Sequence, residues 1–265
     1  MSINYKNICH LVAQIAQNTG KELQKKRKMV KLEINSKGLN DFVTQFDMET
    51  EAKLISELEK LLPQAGFIAE ESALSSHRSK YTWIIDPIDG TTNFIHGLFP
   101  YAISIALMED EEVVLGVVYE IGLDECFSAY KAGTAMLNGE EIRVSNTSFV
   151  KDSLIAVGFP YTNFILIDKY MESLHFFMKK SHGLRRLGSA AVDLAYLACG
   201  RVDAFYEYDL KPWDVAAGSF IVKQAGGKNS DFSGKNNFIF GGEIVSTNGF
   251  IHDEFLSATQ NFLKK

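Results

Sequence analysis

Trp83-Ile84-Ile85-Asp86-Pro87-Ile88-Asp89-Gly90-Thr91-Thr92-Asn93-Phe94 carries an apolar, β-branched run into two carboxylates and a Gly-Thr turn. A short run of this composition reads as a buried strand. Pro87 has no N–H to give and is expected to end the ladder and fix the turn. Asp86 and Asp89 then sit at the C-terminal end of the strand, where open α/β sheets place their sites. Two charges beside a buried strand are costly unless a cation or hydrogen-bond donors offset them. Ligands that are all oxygen select hard cations, Mg²⁺ before Zn²⁺. Gly90-Thr91-Thr92 should open a short helix whose free N–H groups face an anion. Metal ligands beside anion donors point to a phosphate ester, the plain alternative being a turn with a Thr cap.

Working outward, Tyr101 to Met108, Glu112 to Tyr119 and Glu125 to Tyr130 have strand-like patterns, with Asp110-Glu111 as a hairpin turn. Consecutive strands without helices predict an antiparallel sheet. Upstream, Ile8, Leu11, Val12, Ile15, Thr19 and Leu23 follow helical spacing. A second helix is predicted from Phe46 to Leu62, stopped by Pro63, and a short strand from Gly66 to Ala69 delivers Glu70 and Glu71. Beyond about residue 140 the elements alternate. Strands are expected near 154–157, 183–187, 202–206 and 244–246, and helices near 165–178, 189–199, 213–224 and over the last fifteen residues. Alternation implies a second sheet with helical crossovers. For description the chain divides into 1–140 and 141–265, two halves of one compact unit.

The chain has 265 residues, 46% apolar and 23% charged, as expected of a soluble globular protein. A net charge of −6 implies no general affinity for nucleic acid. Cys9, Cys126 and Cys199 are widely spaced without a C-x-x-C, and read as small buried residues in a reducing cytoplasm. No apolar signal region and no 18-residue apolar run occur, so no membrane segment is expected. The Lys- and Arg-rich stretch 21–31 reads as a solvated helix end. Asp47 and Asp214, in the first turns of helices, have an innocent job in complementing the dipole, and Glu70-Glu71 taken alone reads as a pair of surface loop acids.

Asp86-Pro-Ile-Asp89-Gly-Thr91-Thr-Asn-Phe and Trp213-Asp214-Val-Ala-Ala-Gly218 resemble the two signature motifs of the inositol monophosphatase family. The resemblance extends to Asp41-Phe-Val-Thr44-Gln-Phe-Asp47, Phe67-Ile-Ala-Glu70-Glu71-Ser72, the stretch His182 to Ala191, and Ala204-Phe-Tyr-Glu207, covering roughly 35 to 250. It implies a layered αβαβα fold, one sheet antiparallel and a second smaller and mixed. It also implies a Mg²⁺-dependent, lithium-sensitive phosphomonoesterase that forms homodimers. Two to three ions per site are implied, with Mn²⁺ able to substitute. Glu70, Asp86, the carbonyl of Ile88, Asp89 and Asp214 would be the metal ligands. Glu70 with waters would form a weaker third site, and Asp47 and Thr91 would hold the attacking water. Gly90, Thr91 and Thr92 would receive phosphate, and Asp89, Gly188, Ala190 and Glu207 the alcohol.

Inositol 1-phosphate is the substrate that the resemblance favours. Fructose 1,6-bisphosphate, 3′-phosphoadenosine 5′-phosphate and the 2′-phosphate of NADP are alternatives. Arg185 and Arg186 are either charge for a second phosphate or exposed strand-end residues. Ala69 stands where the family has Gly, which requires a negative φ there. Segments 95–99 and 159–168 depart from the family pattern and are expected to shape the pocket, while His96 reads as a surface residue. A haloacid-dehalogenase phosphatase would need one residue between the two Asp, where this chain has Pro87 and Ile88. A P-loop is absent. A non-catalytic metal- or polyanion-binding regulator on the same fold is the reading from a different class.

Overall fold

The computed structural model describes residues 3–29, 34–38, 41–72 and 79–263, with side chains described outside 28–44. Helix α1 (Tyr5–Met29) precedes a hairpin, β1 (Ile34–Gly38) and β2 (Asp41–Thr44), and then α2 (Gln45–Leu61). Next come β3 (Gly66–Ala69), β4 (Tyr81–Asp89), the short helix α3 (Thr91–His96), β5 (Ala102–Glu109), β6 (Glu112–Glu120) and β7 (Glu125–Tyr130). The brief strands β8 (Met136–Leu137) and β9 (Glu140–Glu141) end the first half. The second half holds β10 (Leu154–Val157), α4 (Ile167–Lys180), β11 (Gly183–Arg185), α5 (Ala190–Ala198) and β12 (Ala204–Tyr208). It continues with α6 (Pro212–Gln224), β13 (Lys228–Ser230), β14 (Glu243–Thr247) and α7 (His252–Leu263).

Strands β3 to β9 pair in chain order in a seven-stranded sheet, antiparallel from β4 onward with one parallel pair, β3 with β4, at its edge. The smaller sheet runs β11-β10-β12-β14-β13 and is mixed, parallel up to β12 and antiparallel beyond. Helices α1 and α2 cover one face of the large sheet, and α5 and α6 lie between the two sheets. Helices α4 and α7 close the far side of the small sheet. This is the five-layer fold that the resemblance implies.

Alternation along the strands explains the layering. Trp83, Ile85, Ile103, Ile105 and Leu107 point to the α1/α2 core, where burying each side chain contributes about 1.5–3 kcal/mol. Ile84, Ala102, Ala106, Val118 and Ala129 point to the other face and meet Val215, Ala216, Ala217 and Ile221 of α6. The small residues on that face let α6 press close. A Cβ at Gly116 would lie 2.6 Å from the carbonyl oxygen of Ala217.

Three sequence expectations change. Pro87 does not end the β4 ladder: pairing passes from Asp86↔Ser104 to Asp89↔Ala102, so one extra residue bulges out of β4. A bulge leaves a residue unpaired, which a residue without an N–H tolerates. The basic end of α1 is solvated at Lys21, Lys25 and Lys26, as expected, but Arg27 is docked. Arg27 Nε donates to the carbonyl of Phe94 at 2.8 Å, and Lys26 pairs with Glu49 at 2.9 Å. Residues 30 and 31 of that stretch lie outside the described residues. Strands β8, β9 and β13 were not expected, being too short to carry a period. Cys9 and Cys126 are buried and Cys199 partly so, all three as free thiols. Ala69 is extended, with no positive φ. Among the described residues no helix is long and apolar enough to cross a membrane.

Candidate active site

The bulge sets the two strand acids. Asp86 Oδ1 accepts the N–H of Ile88 at 2.9 Å across Pro87, and Asp89 closes the strand. Gly90 takes φ 93, a left-handed value open to glycine, and this turns the chain directly into α3. Thr91 Oγ1 then donates to the Ile88 carbonyl at 3.0 Å and stands 3.4 Å from Oδ1 of the fully buried Asp47.

Two further helices begin at the same place. Asp89 Oδ2 accepts from Ser189 Oγ at 2.5 Å and from the N–H of Ala191 at 2.7 Å, at the start of α5. Asp214 caps α6 by accepting the N–H of Lys211 at 2.6 Å, and Ser104 Oγ ties that turn to β5 through the Trp213 carbonyl at 3.0 Å. The helix-capping role of Asp214 is therefore real. It coexists with a second one, because one oxygen each from Asp86, Asp89 and Asp214 lies within 4.8 Å of the others. The starts of α3, α5 and α6 all face these acids, and their partial positive charge offsets part of the repulsion. Glu51, buried in α2, accepts the N–H groups of Glu71 and Ser72 at 2.8 and 2.7 Å and so fixes the loop that presents Glu70.

The cluster is electrostatically incomplete as a set of protein groups alone. Burial, then the charges of Glu70, Asp89 and Asp214, hold the Asp86 carboxyl well above the usual carboxylate range. Burial raises Asp89 to about 6 despite the donors at Ser189 and Ala191, and raises Asp214 to about 8 with help from the Asp89 charge. Such a set fits a divalent cation: every donor is oxygen, and the repulsion that lifts these groups is what a positive ion removes. A stability prediction follows for the metal-free protein. The unfolded chain releases these protons near pH 3.8 and the folded one only toward 6 to 8, so stability falls as pH rises through that window. The melting temperature in EDTA is expected to be lower at pH 8 than at about pH 6.5, and Mg²⁺ should narrow the gap. Equal melting temperatures in EDTA would refute it.

The acids open on a cavity of about 260 Å³. Glu70, Asp86, Ile88, Asp89, Gly90, Thr91, Thr92, Gly188, Ala190, Glu207 and Asp214 all line it. Asp47 stands behind Thr91 rather than on the wall. The side chains of Asp41 and Thr44, and that of Lys37 in the hairpin before them, lie outside those described. Of the two departing segments, 159–168 reaches the cavity through Tyr161 and Thr162, while 95–99 does not, and His96 is exposed. Arg186 lines the cavity and Arg185 does not.

Glu207 sits where residue 158 has no side chain: a Cβ at Gly158 would fall 1.8 Å from Glu207 Oε2. Gly158→Ala is expected to push that carboxyl off its place and raise KM about tenfold, the worth of one hydrogen bond. The melting temperature should barely move, since the end of a flexible side chain gives way. An unchanged KM would show that Glu207 does not face the substrate.

The sequence reading missed Asp193, which is 1% exposed on the cavity wall and whose Oδ1 has no hydrogen-bond partner among the described residues. Its signal was an aspartate inside the apolar helix Ala190-Ala-Val-Asp193-Leu-Ala-Tyr-Leu-Ala198, where a charge is rarely buried without a task. It also missed Asp209, whose Oδ2 accepts from the N–H and Oγ1 of Thr162 and the N–H of Asn163, each at 2.9 Å. No local pattern marks that tie, which is a tertiary contact.

Residues 5–264 match the model of the inositol monophosphatase family. The chain belongs to the inositol monophosphatase family. An inositol-1-monophosphatase of Mesorhizobium japonicum is 36% identical over 255 residues, 96% of either chain. A fructose-1,6-bisphosphatase/inositol-1-monophosphatase of Thermotoga maritima is 40% identical over 228 residues, 86% of either chain. The crystal structure of extragenic suppressor protein suhB from Bartonella henselae superposes with a TM-score of 0.91 at 36% identity, covering 97% of this chain and all of that one. As an inositol monophosphatase family member the chain is a phosphatase, and its two motifs meet in the acidic cavity.

Proposed function

We propose that the chain hydrolyses the phosphate monoester of a small polyol, inositol 1-phosphate first among candidates, with Mg²⁺ as its natural ion. The observation that carries the reading is the meeting of Asp86, Asp89 and Asp214 within 4.8 Å, beside the Thr91–Asp47 pair. Oxygens of Glu70, Asp86, Asp89 and Asp214 and the Ile88 carbonyl would hold the ion. A divalent cation bound there supplies Lewis acidity at the phosphate and lowers the pKa of water.

The protein's own groups do the rest. Thr91 Oγ1 already donates to the Ile88 carbonyl, which leaves its lone pairs to accept from a water. Asp47 behind it is the general base: as Thr91 Oγ1 takes a proton from the attacking water it passes its own to Asp47 Oδ1, 3.4 Å away, so the proton ends on that carboxylate. The N–H groups of Gly90, Thr91 and Thr92 face the phosphate oxygens, fixed in place before charge develops. Glu207 and the α5 start at Ala190 meet the hydroxyls of the alcohol, and buried carboxyls suit that partner because they can donate as well as accept. Burial and the charge of Asp193 keep Glu207 well above the usual carboxylate range. The same reading expects a cytoplasmic homodimer inhibited by Li⁺.

Phosphate release from inositol 1-phosphate, fructose 1,6-bisphosphate, 3′-phosphoadenosine 5′-phosphate and NADP, at fixed Mg²⁺ and again in EDTA, tests the reading. Metal-dependent release is expected, with a polyol or sugar ester ahead of the nucleotides. Release undiminished in EDTA, or absent with every ester, would overturn it.

A further inference from the structure

Thr91 and Asp47 act as a pair, yet they stand on different helices, α3 and α2. The 3.4 Å between Thr91 Oγ1 and Asp47 Oδ1 therefore depends on how α3 sits against α2. Helix α3 has only six residues, too few to hold its shape alone, so its place must be fixed from outside. Asn93 fixes one side by donating to the carbonyls of Pro100 and Leu187, each at 2.8 Å.

Arg27, near the end of α1, fixes the other. Its Nε donates to the Phe94 carbonyl at 2.8 Å and its Nη2 to the Ile95 carbonyl at 3.5 Å. Both carbonyls lie in the last turn of α3, where helical carbonyls lack partners and a cation is favoured. The guanidinium also stands 5.5 Å from the centre of the Phe94 ring. That ring is fully buried and meets Phe46, the residue before Asp47, edge-on at 6.0 Å. The seat exists because residue 97 carries no side chain: a Cβ there would lie 2.8 Å from Nη2. Helix α1 is joined to α2 separately, by packing and by the pairs Lys26–Glu49 at 2.9 Å and Lys53–Glu22 at 2.5 Å. It thus forms a beam between the helix of Asp47 and the helix of Thr91, and Arg27 is its grip on the second.

We propose that Arg27 is a positioning residue for hydrolysis, setting α3 against α2 so that Thr91 Oγ1 stays within reach of Asp47. This rests on the phosphatase reading and concerns the same site. Arg27 does not touch the substrate. It acts through the backbone and ring of α3.

The test measures kcat per folded protein at saturating Mg²⁺, with the ester that wild type hydrolyses fastest. The variants are Arg27→Ala and Arg27→Lys, each made alone and together with Thr91→Ala. Arg27→Ala is expected to lower kcat between about tenfold and a hundredfold, as a small misplacement of a catalytic group does. Arg27→Lys should recover part of the loss, because it keeps the charge and one donor but not the fork. Thr91→Ala alone removes the proton relay and should cost about a hundredfold or more. In that background Arg27→Ala should cost less than about a further twofold, because the pair that it sets no longer exists. Equal losses in both backgrounds would show a general loosening of the fold and overturn the proposal, as would wild-type kcat in Arg27→Ala. Should Arg27→Ala not fold, Arg27→Lys carries the same comparison. These results would leave hydrolysis standing. If wild type releases phosphate from no ester, the phosphatase reading fails and takes the proposal with it.

Discussion

Asp89→Asn is expected to lower phosphate release by about a thousandfold or more at saturating Mg²⁺, roughly 4 kcal/mol of lost barrier reduction. Asp214→Asn should behave alike. An amide of the same size keeps an oxygen that can accept from Ser189 and Ala191 in the first case, and from the N–H of Lys211 in the second. The start of α5 and the start of α6 therefore survive. What disappears is a charge from a set in which each carboxyl already raises its neighbours. The metal-free variants should melt no lower than the wild type, because repulsion is relieved, but Mg²⁺ should raise their melting temperature less. Turnover close to wild type in either variant would show that the acid does not serve the ion.

Gly116→Ala is expected to cost more stability than the addition of a single methyl suggests. The added Cβ would meet the carbonyl oxygen of Ala217 at 2.6 Å and its Cα at 3.1 Å. Both are backbone atoms of α6, so no side chain can swing aside. The helix must shift from the sheet or the strand must bend, at a cost of about 3 kcal/mol, the upper part of the usual range for overpacking. Activity should fall beyond what partial unfolding explains, since α6 carries Asp214 at its start. Urea unfolding and kcat measured on the same sample check both parts. A variant that unfolds at the wild-type urea midpoint would mean that the layers have more slack than this contact shows.

The antiparallel run of β5, β6 and β7 was legible because these strands follow one another with short turns, and each side chain faces one core or the other. The αβαβα layering was not read from periodicity but from the family motifs, since α5 and α6 are apolar on all sides and give no amphipathic signal. Of the acids that meet in the cavity, Asp86 and Asp89 stood out after their apolar strand, whereas Asp214 and Glu70 were singled out by the family motifs, because an acid at a helix start or in a loop has an innocent reading. Asp193, Glu51 and Asp209 did not stand out, because their roles depend on what other elements bring to them. The bulge at Pro87 was misread since a proline closes a strand as readily as it sits in an unpaired position within one.

The five layers separate what must stay fixed from what is free to vary. Asp86 and Asp89 hang on β4 and Asp214 on the start of α6, whereas Tyr161 and Thr162 belong to a surface loop held by Asp209 and Arg186. Exchanging that loop would reshape one wall of the cavity and leave the three acids where they are. One scaffold could in this way acquire new metabolites over evolutionary time without rebuilding its interior.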